Sequence, residues 1–162
     1  MAKLEFESAI DVKATPERAF DYVADHRHVA GVLDGVTRWQ PIGARTTGVG
    51  ARYDVEMVTF GVPLRNVLRL SSWRRPEVIA WVSESGLIKQ EGGFRFVRSD
   101  GGVRVELHIA YEPPASVLAN RKLPSCLIRP DSDTQAMTSG RRQLLSRSTL
   151  RSGTPNVTIS TS

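Results

Sequence analysis

Apolar and polar residues alternate through most of the first 112 positions. In residues 3–13, Leu4, Phe6, Ile10 and Val12 fall on one side, with Lys3, Glu5, Glu7, Asp11 and Lys13 on the other. That is the pattern of a half-buried strand. Ala14–His28 breaks it with a helical period: Ala19, Phe20, Val23 and Ala24 share one face, opposite Arg18, Asp21 and Asp25. Thr15 can cap this helix, Pro16 suits its first turn, and Glu17 suits the dipole there. Arg27–Gly35 predicts a second short helix or turn, ended by Asp34-Gly35.

Alternation then resumes. Val36–Ile42 reads as a strand, Gly43–Gly48 as a turn, and Val49–Phe60 as a strand with Tyr53, Val55 and Met57 on one face. Gly61-Val62-Pro63 reverses the chain into Leu64–Trp73, where Leu64, Asn66, Leu68 and Leu70 share a face. Arg75-Pro76-Glu77 leads into Val78–Ser85, and Gly86 into Leu87–Arg98. Within the latter, Gly92-Gly93 predicts a bulge or sharp bend. Ser99-Asp100-Gly101-Gly102 is a hairpin turn, and Val103–Glu112 carries Val103, Val105, Leu107, Ile109 and Tyr111 on one face. Seven strands joined mostly by short turns predict an antiparallel meander, with the early helix plugging one end of a curved sheet.

After Pro113-Pro114 the character changes. Residues 113–162 hold 15 Ser/Thr, no aromatic residue and no sustained helical stripe. This divides the chain into a domain at 1–114 and an atypical segment at 115–162. Residues 131–150 predict a weak helix with Met137, Leu144 and Leu145, interrupted by Gly140, and Gly153 onward reads as disordered. So abrupt a change also motivates the hypothesis of a shifted reading frame near residue 115, which the gene's other frames would test.

Composition narrows the function classes. No apolar run reaches membrane-spanning length, and the charged, alternating start lacks the apolar centre of a signal peptide, so the cytoplasm is the expected location. Cys126 is the one cysteine, which rules out an internal disulfide and any multi-cysteine zinc site. The net charge of +5 lies entirely in residues 113–162, where seven Lys/Arg face Asp131 and Asp133; the body balances 15 basic against 15 acidic groups. All 11 aromatic residues fall in the first 112 positions, so the basic tail has none to stack on a base. Nucleic acid is therefore not an expected partner.

Motif chemistry is sparse. Gly48-Val49-Gly50 precedes a strand rather than a helix and reads as a hairpin turn, not a nucleotide loop. Phosphate-loop, nucleophile-elbow and zincin patterns are missing from the sequence. His26 and His28 beside Asp25 sit two apart at a helix end, where they do not face each other, and a C-terminal dipole accounts for them. His108 alternates outward. Neither a metal site nor a cofactor is expected. Asn66, Tyr53 and Gln90 are more informative, because each interrupts an apolar strand face. Such groups either bond a neighbouring strand or orient a mostly apolar ligand.

The element order resembles the START-like, helix-grip (SRPBCC) proteins, in particular their polyketide cyclase/dehydrase and lipid-transport branch. Ala14–His28, Gly48-Val49-Gly50-Ala51-Arg52-Tyr53, Ile79-Ala80-Trp81, Ser85-Gly86 and Tyr111-Glu112-Pro113-Pro114 carry the resemblance over residues 3 to 114. It implies an α+β fold: a curved antiparallel sheet of about seven strands, two short helices after the first strand, and a long C-terminal helix enclosing an apolar cavity. Residues 115–162 depart from that last feature, so either the weak helix at 131–150 covers the sheet, or a partner copy in a homodimer does, or the cavity is open. The resemblance places Trp81 along the cavity. With Tyr53, Val55, Met57, Asn66 and Leu68, and with Gln90, Phe94, Leu107 and Ile109, it makes the candidate ligand-binding set.

Two functions follow. The first is binding of a hydrophobic small molecule: a lipid, polyketide or aromatic metabolite. The second is a polyketide aromatase/cyclase or dehydratase, whose enolate chemistry needs a base and an oxyanion donor in a dry site. The inward faces offer no such charged group; Arg65, Glu84 and Glu91 turn inward only if the strand phase is shifted by one.

Overall fold

Alternation along the chain becomes one antiparallel sheet in a computed structural model that describes residues 2–59, 61–112 and 156–161. The elements are β1 (Ala2–Val12), α1 (Pro16–Ala24), α2 (His26–Val32), β2 (Val36–Ile42), β3 (Arg52–Thr59), β4 (Val62–Arg74), β5 (Val78–Gly86), β6 (Lys89–Ser99), β7 (Gly102–Glu112) and β8 (Asn156–Thr161). Their order across the sheet is β2-β3-β4-β5-β6-β7-β1-β8. Strands β2 to β7 form the expected meander, while α1 and α2 carry the chain from β1 across to β2 at the far edge.

One face of the sheet is the core. Leu4 and Phe6 of β1, Trp81 of β5, Phe94 and Phe96 of β6, and Val105 of β7 are all buried on it. Helix α1 lays Ala19, Phe20 and Val23 against one end of this inner face. The Phe20 ring meets Trp73 edge-on at 5.3 Å and Phe96 at 5.4 Å, geometry that adds to simple area burial.

The sequence reading needs three corrections. Ala14–His28 is not one helix: Asp25 leaves the helical region and its carboxylate accepts the Arg27 N–H at 3.0 Å, capping a second helix. Nor does Gly92-Gly93 form a bulge, because β6 pairs without interruption to β7 and to β5. Those glycines make room instead. A Cβ at Gly92 would stand 2.8 Å from the Trp81 ring, and one at Gly93 would stand 2.8 Å from the Ile79 carbonyl oxygen. The true irregularities lie between Val36 and Arg38 in β2, and in the β4–β5 pairing at Val67/Leu68, where β5 carries the extra residue, and at Leu70/Ser72, where β4 does.

The third correction concerns the end of the chain. Asn156–Thr161 is an eighth strand, pairing from Glu7↔Asn156 to Ala2↔Thr161, where disorder is the sequence expectation. Four of its six residues are β-branched, which suits a strand, and the open edge of β1 offers it a ladder of free backbone groups. The helix expected at 131–150 lies outside the described residues. Among those described, no helix is long and apolar enough to cross a membrane.

Candidate functional site

All ten candidate residues are buried on the inner face. Tyr53, Val55 and Met57 come from β3, Asn66 and Leu68 from β4, Trp81 from β5, Gln90 and Phe94 from β6, and Leu107 and Ile109 from β7. Register brings them into rows. Leu70, Trp81, Gly92 and Ile109 lie across one row, and the Leu68–Ser83 and Gln90–Tyr111 pairs flank the next. The uninterrupted register of β6 keeps Gln90 and Phe94 in phase.

Trp81 occupies the centre. It is 2 % exposed, meets Trp39 edge-on at 5.6 Å, and packs against Phe94 at the same centroid distance. Its Nε1, the Asn66 Oδ1 and the Gln90 Oε1 have no hydrogen-bond partner among the described residues. Unpaired polar atoms are costly in a dry core, so three on one face form a coherent signal. Asn66 and Gln90 are nonetheless fixed by their other groups. The Asn66 Nδ2 donates to the Ile88 carbonyl at 3.1 Å, and the Gln90 backbone N–H donates to Ser83 Oγ at 3.0 Å. Tyr53 differs: its hydroxyl donates to the Thr46 carbonyl, tying β3 to the preceding loop. Burial pushes the Tyr53 phenol pKa up.

Charged groups stay off this face. Among the described residues, the buried polar side chains are Asn66 and Gln90, and no Asp, Glu, Lys or Arg joins them. Arg65 bonds Asp54, Glu84 bonds Arg52, and Glu91 bonds Lys3 on the outer surface. The Arg65 bond holds the Asp54 carboxyl below its usual range, and the Lys3 bond does the same for Glu91.

His26 and His28 occupy the first turn of α2 rather than the end of a helix, so the C-terminal dipole does not account for them. His28 stacks on Tyr22 at 4.1 Å, with its Nδ1 3.0 Å from the Tyr22 carbonyl oxygen. His26 is not among the candidates read from the sequence, yet it lines a cavity between helices and sheet with Val23, Trp39, Tyr53, Trp73 and Trp81. Nothing in the alternation marks His26, because it falls at the junction of two helices. Trp39 is hidden by the β2 irregularity. This cavity measures about 20 Å³, room for one water-sized guest. The described residues hold no group of three metal-ligating side chains.

A larger concavity, about 720 Å³, opens on the outer face instead. Ala9, Ala80 and Gly93 form its floor, with Arg95, Arg104 and Glu106 around it. Arg104 on its wall pairs with Glu106 and with the neighbouring Asp11, all three partly open to solvent. Among the described residues it offers no buried polar side chain to fix a ligand, so the inner face is the better site.

Comparison with known proteins defines the class. The fold matches TTHA0849 from Thermus thermophilus with a TM-score of 0.61 and 21 % identity, over 71 % of this chain and 78 % of that one. A START superfamily protein from Mycobacterium smegmatis matches with a TM-score of 0.56 and 14 % identity, over 71 % and 83 %. The di-domain ARO/CYC BexL from the BE-7585A biosynthetic pathway matches with a TM-score of 0.55 and 11 % identity, over 74 % of this chain and 39 % of BexL. No curated protein matches in sequence. The fold is thus START-like, of the helix-grip type. Residues 3–135 match the model of the polyketide cyclase / dehydrase and lipid transport family, and the chain belongs to that family. The match runs past Pro114, so the composition change falls inside the family region rather than at its end.

Proposed function

We propose that this protein binds a hydrophobic small molecule, a lipid, polyketide or aromatic metabolite, against the inner face of its sheet. The observation that carries this reading is a trio of polar atoms without a partner among the described residues, on an otherwise apolar surface: Trp81 Nε1, Asn66 Oδ1 and Gln90 Oε1. One donor and two acceptors orient a guest, while Val55, Met57, Leu68, Phe94, Leu107 and Ile109 supply apolar burial. Tyr53 supports the wall through its bond to the Thr46 carbonyl. We further read the protein as cytoplasmic and as no partner of nucleic acid, since its body balances its charges. A homodimer is the alternative if the segment after Glu112 leaves the inner face uncovered.

Native mass spectrometry of the full chain tests this. The expected result is a folded monomer with a discrete co-purified mass that is lost on denaturation. A chain with nothing bound, which also fails to enhance the emission of an anilinonaphthalene sulfonate dye, overturns it.

One observation favours a second reading, that of an aromatase/cyclase or dehydratase. His26 lines the inner cavity, with its ring 6.4 Å from that of Tyr53. An imidazole there can move a proton beside a carbonyl, and the Trp81 N–H can donate to the oxygen that gains charge. Turnover of a poly-β-ketone substrate that disappears in His26→Gln, with binding retained, would select this reading.

A further inference from the structure

Three strand residues lie side by side on the outer face, next to the β4–β5 turn. Arg74 of β4 pairs in register with Val78 of β5, and Val78 pairs with Arg95 of β6. Neighbouring strands are about 4.8 Å apart, so the two arginine backbones stand about 10 Å apart, and their long side chains can converge over the valine between them. Both line one groove of about 550 Å³. Val78 and Val97, the latter 41 % exposed, give this groove apolar surface. Arg98 also lines it, with its guanidinium 3.6 Å from Glu17 of α1.

Elsewhere on the outer face carboxylates meet the arginines. Arg38 and Arg65 share Asp54, Arg52 has Glu84, and Arg104 has Asp11 and Glu106. Arg69, Arg74 and Arg95 have no ion pair among the described residues, and the last two share the groove. Glu106 lies opposite Arg95 in register, yet its carboxylate meets Arg104 at 3.7 Å. Glu77 lines the groove as well, but its side chain pairs with none of the three arginines there. Its backbone builds the wall instead: the N–H donates to the Arg74 carbonyl at 2.6 Å, and the carbonyl accepts the Phe96 N–H at 2.9 Å. Among the described residues the groove thus carries three positive charges against one negative. Like charges held side by side repel unless an anion sits between them.

We propose that this groove binds a phosphate group, carried by a soluble ester or by a lipid headgroup. Planar guanidinium forks meet phosphate oxygens in pairs, and a phosphate monoester near neutral pH brings about two negative charges to two uncompensated arginines. A carboxylate brings one charge and fills one fork. The exposed valines give an apolar ester group a surface beside its head. The groove lies on the other side of the sheet from the inner face, so it stands or falls independently of the ligand-binding reading.

The test is an NMR titration of the full chain at pH 7 and fixed ionic strength, read at the arginine Nε–Hε signals. Phenyl phosphate should shift the signals of Arg74 and Arg95 to saturation, and should bind about tenfold more tightly than benzoate. Arg74→Gln and Arg95→Gln should each weaken it about tenfold; both side chains are exposed, so neither change threatens the fold. Phosphatidylcholine vesicles containing phosphatidic acid decide the source. Co-sedimentation that both variants lose assigns the site to a lipid headgroup, and no co-sedimentation with the ester still bound assigns it to a soluble ester. Shifts spread over all the exposed arginines without saturation overturn the site. So does equal binding of ester and benzoate, or binding of ester or vesicles that neither variant weakens.

Discussion

At the scale of single residues, the site depends on missing side chains as much as on present ones. Gly86 adopts φ +136°, and a Cβ there would stand 1.8 Å from Asn66 Oδ1. Gly86→Ala should therefore cost about 2–4 kcal/mol, from backbone strain and overpacking together. In an Asn66→Ala background the side-chain clash is gone, and the strain and the 3.0 Å approach to the Arg65 carbonyl oxygen remain, about 1–2 kcal/mol. Urea unfolding of the two single variants and the double variant would show this coupling, and equal costs in both backgrounds would refute it. Asn66 and Gln90 are legible in the sequence as polar breaks in apolar faces. Gly92 is legible as unusual but reads wrongly as a bulge, because the Trp81 ring that needs its space comes from another strand. Alternation reports which way a residue points and not what leans over it.

At the scale of elements, the helix junction and the last strand are where the sequence is least readable. Asp25 has the pattern of a polar-face residue of one helix, yet it ends α1 and caps α2. The Arg27 side chain, then burial and the Arg27 backbone N–H, set its acidity, and the net effect holds its carboxyl well below the usual carboxylate range. A depressed folded pKa gives stability that is present above the unfolded value of about 4 and lost as pH falls through the folded value. Asp25→Ala should cost about 1 kcal/mol at pH 7 and progressively less as pH falls below about 4, because the unfolded chain then takes up a proton that the folded cap still excludes. Thermal melts across that range would show the gap closing, and a gap independent of pH would contradict the assignment. Strand β8 makes a different prediction. It covers the outer edge of β1 over six residue pairs. Deleting residues 156–162 frees that edge, and exposed edges pair with other chains. Light scattering should show self-association of the truncated chain, while an unchanged monomer would mean the edge is protected otherwise.

At the scale of the whole molecule, the order of elements is readable early, since one helical interruption in a run of alternating strands admits few architectures. The end of the β5–β6 pairing at Val82↔Glu91 is not, because alternation continues through both strands whether or not they pair. What holds the layers together is also a whole-molecule property. A sheet with one apolar face must bury it, and among the described residues α1 does so where Phe20 meets Trp73 and Phe96. If α1 is part of the core, Phe20→Ala should cost about 3–5 kcal/mol, a large share of the 5–15 kcal/mol typical of a domain. The loss should lower the urea midpoint without changing the slope, because helix and sheet unfold together. A cost below about 1 kcal/mol would instead make α1 a surface element able to swing off the sheet. In that case the 20 Å³ cavity beneath the helices is a closed state rather than the resting volume of the site. A probe such as naphthalene should then protect α1 from proteolysis only weakly, since the guest would hold the helix away from the face it now covers.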